Sequence, residues 1–312
     1  MNVEPVAEYG CVVGEGPLWH PDEQRLYWTD IDSGRLFRYH AATGHHEQIY
    51  EGEKVGGFTL QADGGLLLFM ARGAIKIWRD GALTTVVDEI PDERETRFND
   101  VIADPSGRVF CGTMPTKENK ARLYRLDVDG SLQVVLDEVG LANGMGFTPD
   151  GQHMYFTDST AKSIYLFDYD RATGAITNQR PFVKTPAEEG IPDGMTVDAQ
   201  GYVWSARWGG ACLVRYAPDG TEERRISFPV PKSHALYLVV RSTRTSTSQP
   251  QAATKKRPTA RRRVRCFAFI WASKASGASR NFARASVFED AADANFKKKL
   301  TQRRRDAKDA CV

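Results

Sequence analysis

The 312-residue sequence has no long apolar run and no closely spaced cysteines. No stretch approaches the roughly 18–20 apolar residues that a membrane-spanning helix needs, so no membrane span is predicted. The first ten residues, MNVEPVAEYG, lack the basic start and apolar core of a secretory signal, and we expect a cytoplasmic protein. The five cysteines are far apart and never form a C-x-x-C pair, which argues against a disulfide framework and a zinc-thiolate site.

Acidic residues and glycines are scarce towards the end of the chain. Residues 233–288 contain no Asp or Glu, and Gly277 is the only one of 27 glycines beyond residue 232. Residues 1–232 carry 23 Lys and Arg against 35 Asp and Glu, a net charge of −12. Residues 233–312 carry 19 against 5, a net charge of +14. We therefore predict two regions, a domain over 1–232 and a basic low-complexity tail over 233–312.

Turn-rich segments recur at a regular spacing within residues 1–232. The residues seven positions before successive turns are 41, 43, 44 and 50 residues apart. They are Glu15, Gly56, Asn99, Asn143 and Asp193. Each repeat holds a short apolar strand, an alternating aromatic strand and a third strand, separated by turns containing Gly, Asp or Pro. A β-rich repeat of 40–50 residues is typical of propeller blades, so the fold class is predicted to be all-β, a β-propeller with about five recognisable blades.

The five repeated positions predict a ring of residues around a central channel, because the first strand of each propeller blade lines that channel. Four of the five side chains carry oxygen atoms. Asn-Gly and Asp-Gly are also common hairpin turns, so each position taken singly is equally a turn. The Glu at the matching place in the first repeat favours the ring, since a hairpin has no need of it. Converging carboxylate and amide oxygens are the ligands of a hard divalent cation.

Several segments together resemble the sugar lactonase family that includes gluconolactonase and the senescence marker protein regucalcin (SMP-30-like). They are GEGPLW (14–19), RFND (97–100), GTM (112–114), NGMGFTPDG (143–151), FDYD…TG (167–174) and IPDGMTVDAQGYVW (191–204). The resemblance runs in order over about residues 7–232. It implies a six-bladed β-propeller, of which the last blade is disrupted here, with one divalent metal ion in the channel.

The resemblance also implies roles for individual residues. Glu15, Asn143 and Asp193 match the metal ligands, and the ion could be Ca²⁺, Zn²⁺, Mg²⁺ or Mn²⁺. Asp193 is additionally expected to be the general base. Arg97 and Asn99 match positions that hold sugar hydroxyls. Glu118 is the nearest candidate for one further acidic substrate contact, although PTKENK after GTM departs from the family pattern.

These residue types fit the metal-dependent hydrolysis of a sugar-acid lactone to the open aldonic acid. A divalent ion can polarise the lactone carbonyl and lower the pKa of bound water. Arg97 can anchor hydroxyls or the product carboxylate, or it can form a surface salt bridge with Glu93 or Glu95. No G-x-S-x-G segment is present, which disfavours a covalent serine mechanism. Two alternatives stay open: a non-catalytic calcium- or ligand-binding propeller, and an inactive product of a disrupted reading frame.

The basic tail after residue 232 has three competing explanations. It is a nucleic-acid or anionic-surface appendage, a disordered linker, or the result of a shift of reading frame near residues 233–240. The lack of interleaved aromatics and of a recognisable module disfavours nucleic acid. Out-of-frame translation of a GC-rich gene yields Arg, Ser, Thr, Pro and Ala and loses the Gly and Asp periodicity, as seen here. The frameshift is therefore the favoured interpretation.

Overall fold

The fold consists of short antiparallel strands. The computed structural model describes residues 3–4, 7, 9–227, 235–243, 263–271 and 282–290. Backbone pairing alone is described for residues 3–4 and for those beyond 227. In these described ranges the only helices are two single 3-10 turns, Pro91–Glu93 and Ala187–Glu189, so none has the length to cross a membrane.

Five four-stranded sheets follow one another along residues 14–227, and in each the strands are hydrogen-bonded in chain order. The first sheet contains β2 (Gly14–His20), β3 (Arg25–Asp30), β4 (Arg35–His40) and β5 (His46–Glu51). The second contains β6 (Val55–Leu60), β7 (Leu66–Met70), β8 (Ile75–Arg79) and β9 (Ala82–Val87). The third contains β10 (Phe98–Ala103), β11 (Val109–Thr113), β12 (Ala121–Leu126) and β13 (Leu132–Val139). The fourth contains β14 (Ala142–Phe147), β15 (His153–Asp158), β16 (Ser163–Tyr169) and β17 (Ile176–Lys184), and the fifth contains β18 (Ile191–Val197), β19 (Val203–Trp208), β20 (Cys212–Tyr216) and β21 (Glu222–Ser227).

These sheets are the blades of a β-propeller, which confirms the predicted all-β class and the five recognisable repeats. Each blade is an antiparallel meander, and its first strand contacts the first strand of the next blade. Propellers manage exposed sheet edges by this radial repetition.

Four further strands pair into an additional sheet. They are β1 (Val3–Glu4), β22 (Ala235–Thr243), β23 (Arg263–Trp271) and β24 (Phe282–Asp290), in the order β1-β24-β23-β22. β22 lies beside β2 of the first blade and beside β18 and β19 of the fifth. No turn–strand unit was expected here from the sequence, yet the backbone pairs over nine consecutive residues in each of β22, β23 and β24. The boundary at residue 232 and the shift of reading frame stay predictions.

All five first strands are irregular near their beginning. The pairing with the second strand of the same blade shifts register between Glu15 and Leu18, Val55 and Gly57, Phe98 and Val101, Asn143 and Met145, and Pro192 and Met195. Such bulges leave residues unpaired, bend the strand and re-aim its side chains. The five irregularities coincide with the five repeated positions, so Asn143-Gly144 lies within a strand and is not a hairpin turn.

Glycines allow the first strands to pack closely around the axis. A Cβ atom on Gly56 would lie 1.9 Å from the carbonyl oxygen of Phe98 in the next blade. A Cβ atom on Gly144 would lie 2.5 Å from the backbone nitrogen of Met195 and 2.6 Å from the backbone carbonyl oxygen of Asp193. All three distances are far below van der Waals contact, so larger side chains would force neighbouring blades apart.

The hydrophobic core lies between neighbouring blades. Four clusters of buried side chains take members from two successive blades, and a further cluster around Leu26, Trp28 and Phe37 lies in the first blade with the residues that precede it. Examples are Leu36 with Phe58, Phe69 with Phe98, Phe110 with Phe156, and Tyr155 with Val214. Full burial of one such side chain contributes about 1.5–3 kcal/mol. The blades therefore stabilise one another and not only themselves.

A buried ion pair fastens the first hairpin of the fifth blade. Asp198 follows β18 and accepts backbone N–H groups from Gln200 at 2.9 Å and Tyr202 at 3.1 Å. Its other oxygen accepts the Trp204 indole N–H at 3.0 Å and an Arg215 N–H at 2.6 Å. Both side chains of the pair are 3% exposed. Asp198 therefore joins the turn after β18 to the strands β19 and β20.

Candidate active site

Four of the five repeated positions line one cavity of about 360 Å³. It is lined by Val13, Glu15, Arg97, Asn99, Met114, Leu141, Asn143, Ser159, Ile191, Asp193 and Trp208. Glu15 comes from β2, Asn99 from β10, Asn143 from β14 and Asp193 from β18, so four blades contribute. The bulge in each of these strands accounts for the shared position of the side chains. The structure therefore brings together five of the six predicted site residues.

Three carboxyl groups near the channel share one electrostatic environment. Burial, followed by the charge of Asp100, raises the pKa of Asp193 to about 8. Burial, followed by the charges of Asp193 and Asp100, raises the pKa of Glu15 well above its ordinary value, and Arg97 opposes this shift. Burial raises the pKa of Asp100 to about 7, again opposed by Arg97. The site thus concentrates acidic groups that prefer protonation unless a positive charge is supplied.

The donor set suits a hard divalent cation. Asn143 is 4% exposed, and its Oδ1 atom is buried without a hydrogen-bond partner in the described part of the chain. Its amide nitrogen donates to the Ser159 hydroxyl at 3.0 Å, so the amide orientation is defined. No three His, Cys, Asp or Glu residues form a metal-binding group among the described residues. The predicted set of Glu15, Asn143 and Asp193 could offer a cation two carboxylates and the orphaned amide oxygen.

Arg97 and Asn99 are joined by a hydrogen bond. The Arg97 Nη1 atom donates to Asn99 Oδ1 at 2.8 Å and to the Phe98 carbonyl at 2.9 Å. The Asn99 amide nitrogen donates to the Ala142 carbonyl in the next blade at 3.0 Å. Within the described ranges, one N–H of Asn99 and the remaining guanidinium donors of Arg97 are available to a ligand. Among the described residues Arg97 forms no salt bridge with Glu93 or Glu95, so that alternative is wrong; Glu93 instead accepts from Tyr124 at 2.8 Å and from Arg122 at 3.2 Å.

Glu118 lies apart from this cavity. It is exposed in the turn between β11 and β12, where its backbone N–H donates to the Thr116 hydroxyl at 3.2 Å. It is not among the residues that line the cavity. A substrate contact by Glu118 stays a prediction without geometric support.

Three residues at the channel escaped the sequence reasoning. Ser159 and Trp208 line the cavity, and each lies at or just after the end of a second strand, where no repeat position marks it. Trp208 keeps 43% of its surface exposed. Asp100 follows Asn99 in RFND and lines a second cavity of about 190 Å³, together with Gly16, Gly57 and Gly194. The adjacency of Asp100 to the repeat position Asn99 is the sequence feature that could have indicated it.

Comparisons with known proteins place this chain beside named lactonases and regucalcin. Residues 13–240 match the model of the SMP-30/gluconolactonase/LRE-like region. The chain is 50% identical over 235 residues to pentonolactonase XacC from Haloferax volcanii, covering 74% of this chain and 79% of that protein. It is 36% identical over 240 residues to L-arabinolactonase from Azospirillum brasilense, covering 75% and 79%. A solved structure of a calcium-binding protein, regucalcin, from Agrobacterium tumefaciens has a TM-score of 0.70 at 24% identity, covering 80% of this chain and 88% of that one, which shows the fold alone.

Proposed function

This chain belongs to the SMP-30/gluconolactonase/LRE-like family, and from that premise we propose that it hydrolyses a sugar-acid lactone to the open aldonic acid. The observation that carries the proposal is the convergence of Glu15, Asn143 and Asp193 from three blades on one cavity beside Arg97. Two relatives are named pentonolactonase and L-arabinolactonase, which supports a five-carbon lactone as the first substrate to test.

We propose that Glu15, Asn143 and Asp193 hold one divalent cation, with Ca²⁺, Zn²⁺, Mg²⁺ and Mn²⁺ as candidates. The raised pKa values of both carboxyl groups and the orphaned Asn143 Oδ1 support this assignment, because a cation would stabilise the charged carboxylates and give the amide oxygen a partner. When bound, such an ion supplies Lewis-acid polarisation of the lactone carbonyl and lowers the pKa of water.

Asp193 is proposed as the general base. A carboxylate has two oxygens, so one can face the ion while the other faces the attacking water. The water oxygen bonds to the lactone carbonyl carbon, and the bond from that carbon to the ring oxygen breaks. Asp193 takes the proton from the water and returns it to the departing ring oxygen, which becomes the hydroxyl of the aldonic acid.

Arg97 and Asn99 are proposed to bind the sugar. Arg97 is oriented by its hydrogen bond to Asn99 and presents its remaining N–H groups to hydroxyls or to the product carboxylate. Burial lowers the pKa of Arg97, and Glu15, Asp32 and Asp100 oppose that shift. The guanidinium stays charged because its ordinary pKa is above 12.

We propose that the sheet β1-β24-β23-β22 occupies the sixth blade position. Its strand β22 lies beside both the first and the fifth blades, and its outer strand β1 comes from the beginning of the chain.

A cytoplasmic location and the absence of a nucleic-acid partner remain our expectations. Sequencing the gene around codon 233 tests whether this region is out of frame.

An assay of the full chain tests the proposed function. Pentono- and gluconolactones are supplied in a pH-stat, with each cation and with chelator. We expect ring opening that chelator abolishes, and a loss of at least 100-fold in kcat for Asp193→Asn. The exposed turn residue Asp219 gives the control variant Asp219→Asn. Cation binding without ring opening would instead indicate a non-catalytic binding propeller. The absence of both cation binding and ring opening would refute the proposal.

A further inference from the structure

Ser159 bridges two of the proposed ligands. It follows β15, is 1% exposed and lines the cavity. Its hydroxyl donates to the Pro192 carbonyl at 2.6 Å and accepts the Asn143 amide N–H at 3.0 Å. Pro192 directly precedes Asp193, so this one side chain connects the fourth and fifth blades beside two of the three proposed ligands.

The hydrogen-bond inventory of Ser159 determines how the Asn143 amide is oriented. A hydroxyl has a single proton, and a carbonyl can only accept, so the proton of Ser159 is used by Pro192. The oxygen of Ser159 can then only accept from Asn143. Asn143 must therefore turn its NH₂ group to Ser159, and this directs Oδ1 away from the serine, where it is buried without a partner in the described part of the chain.

We propose that Ser159 is a positioning residue, which holds the Asn143 amide with its oxygen towards the cation. This inference rests on the proposed function. Ser159→Ala removes the acceptor that holds the Asn143 NH₂ group, which can then turn to the Asp193 carboxylate nearby. The amide would then compete with the cation for that carboxylate and withdraw its own oxygen.

The test measures cation affinity by titration calorimetry on the full chain, with Mn²⁺ as the probe. Loss of a residue that orients a ligand costs 10–100-fold in metal affinity, so we expect that loss for Ser159→Ala. Ser159→Cys keeps most of the volume but offers a weak acceptor, and should lose affinity in the same direction. The control is Ser163→Ala in the same blade, because Ser163 is buried but donates to the Ala161 carbonyl away from the cavity.

Repeating Ser159→Ala in an Asn143→Asp variant separates the loss of amide orientation from a general structural effect of the substitution. With Asn143→Asp, both terminal atoms are oxygens and the orientation no longer matters. Ser159→Ala should then cost less than 2-fold in Mn²⁺ affinity. An equal loss in both backgrounds would show a merely structural role and overturn the inference. Unchanged affinity of Ser159→Ala, with a wild type that binds Mn²⁺, would overturn the inference alone, whereas a wild type that binds none of the four cations would overturn the proposed function as well.

Discussion

Removal of divalent cations should make the stability of this protein fall as pH rises through neutrality. The perturbation is a change from pH 5 to pH 7 in the presence of chelator. Asp193 has its pKa raised from 3.8 to about 8 in the folded protein, so in this window the folded state holds a proton that the unfolded state has released. The free energy of unfolding therefore decreases with pH, because the unfolded state binds fewer protons.

The magnitude follows from the number of protons. One retained proton changes the free energy of unfolding by about 1.4 kcal/mol per pH unit, which gives about 3 kcal/mol from pH 5 to 7 for Asp193 alone. Glu15 and Asp100 shift in the same direction and add to the slope. Carboxylates with lowered pKa values, such as Glu89 at about 2, affect stability only below this window.

Urea denaturation at pH 5, 6 and 7 is the assay. Asp193→Asn should reduce the slope of unfolding free energy against pH by about 1.4 kcal/mol per pH unit, the contribution of one proton. Asp219→Asn in an exposed turn should leave this slope unchanged. Saturating Mn²⁺ should flatten the slope in the wild type, because a bound cation favours the charged carboxylates. Stability that rises with pH under chelator, or a slope that Asp193→Asn does not alter, would refute the reasoning.

Three further perturbations have expected outcomes. Arg97→Lys should lower kcat/KM for a pentonolactone at least 10-fold without changing Mn²⁺ affinity, because the planar fork that binds hydroxyls is lost; an unchanged kcat/KM in a steady-state assay would contradict its role. Asp198→Ala should lower the free energy of unfolding by about 3–5 kcal/mol, since it removes the buried carboxylate that pairs with the buried Arg215 guanidinium, and a loss below about 1 kcal/mol in urea would contradict this. Gly144→Ala should destabilise by about 1–3 kcal/mol and weaken Mn²⁺ binding, because the new methyl group collides with the backbone at Asp193; wild-type values in denaturation and calorimetry would contradict the close approach.

The sequence predicted those features that repeat along the chain. The spacing of Glu15, Asn99, Asn143 and Asp193 located the first strand of each blade, because every blade uses the same turn chemistry at the same distance. The spacing also distinguished a channel position from a hairpin turn at Asn143-Gly144. Local patterns were sufficient here since the propeller is built from successive local meanders.

Contacts between blades were beyond such reasoning. Ser159 reaches Asn143 and Pro192 only because two bulged strands approach each other, and nothing near residue 159 in the sequence encodes that meeting. Glu118 was chosen for its place after GTM, but the turn between β11 and β12 directs it to solvent. Strand β22 was not expected, because the residues after 232 lack the Gly and Asp turns that marked every earlier unit.

The position of β22 gives the proposed cation a mechanical task. Glu15 belongs to the first blade and Asp193 to the fifth, and β22 lies between those two blades. An ion bound by both carboxylates would cross-link the first and fifth blades and hold the two ends of the ring together. Weaker packing of β22 against its neighbours would then lower the cation affinity before it unfolds the protein. A saturating cation concentration would in turn stabilise the closed ring.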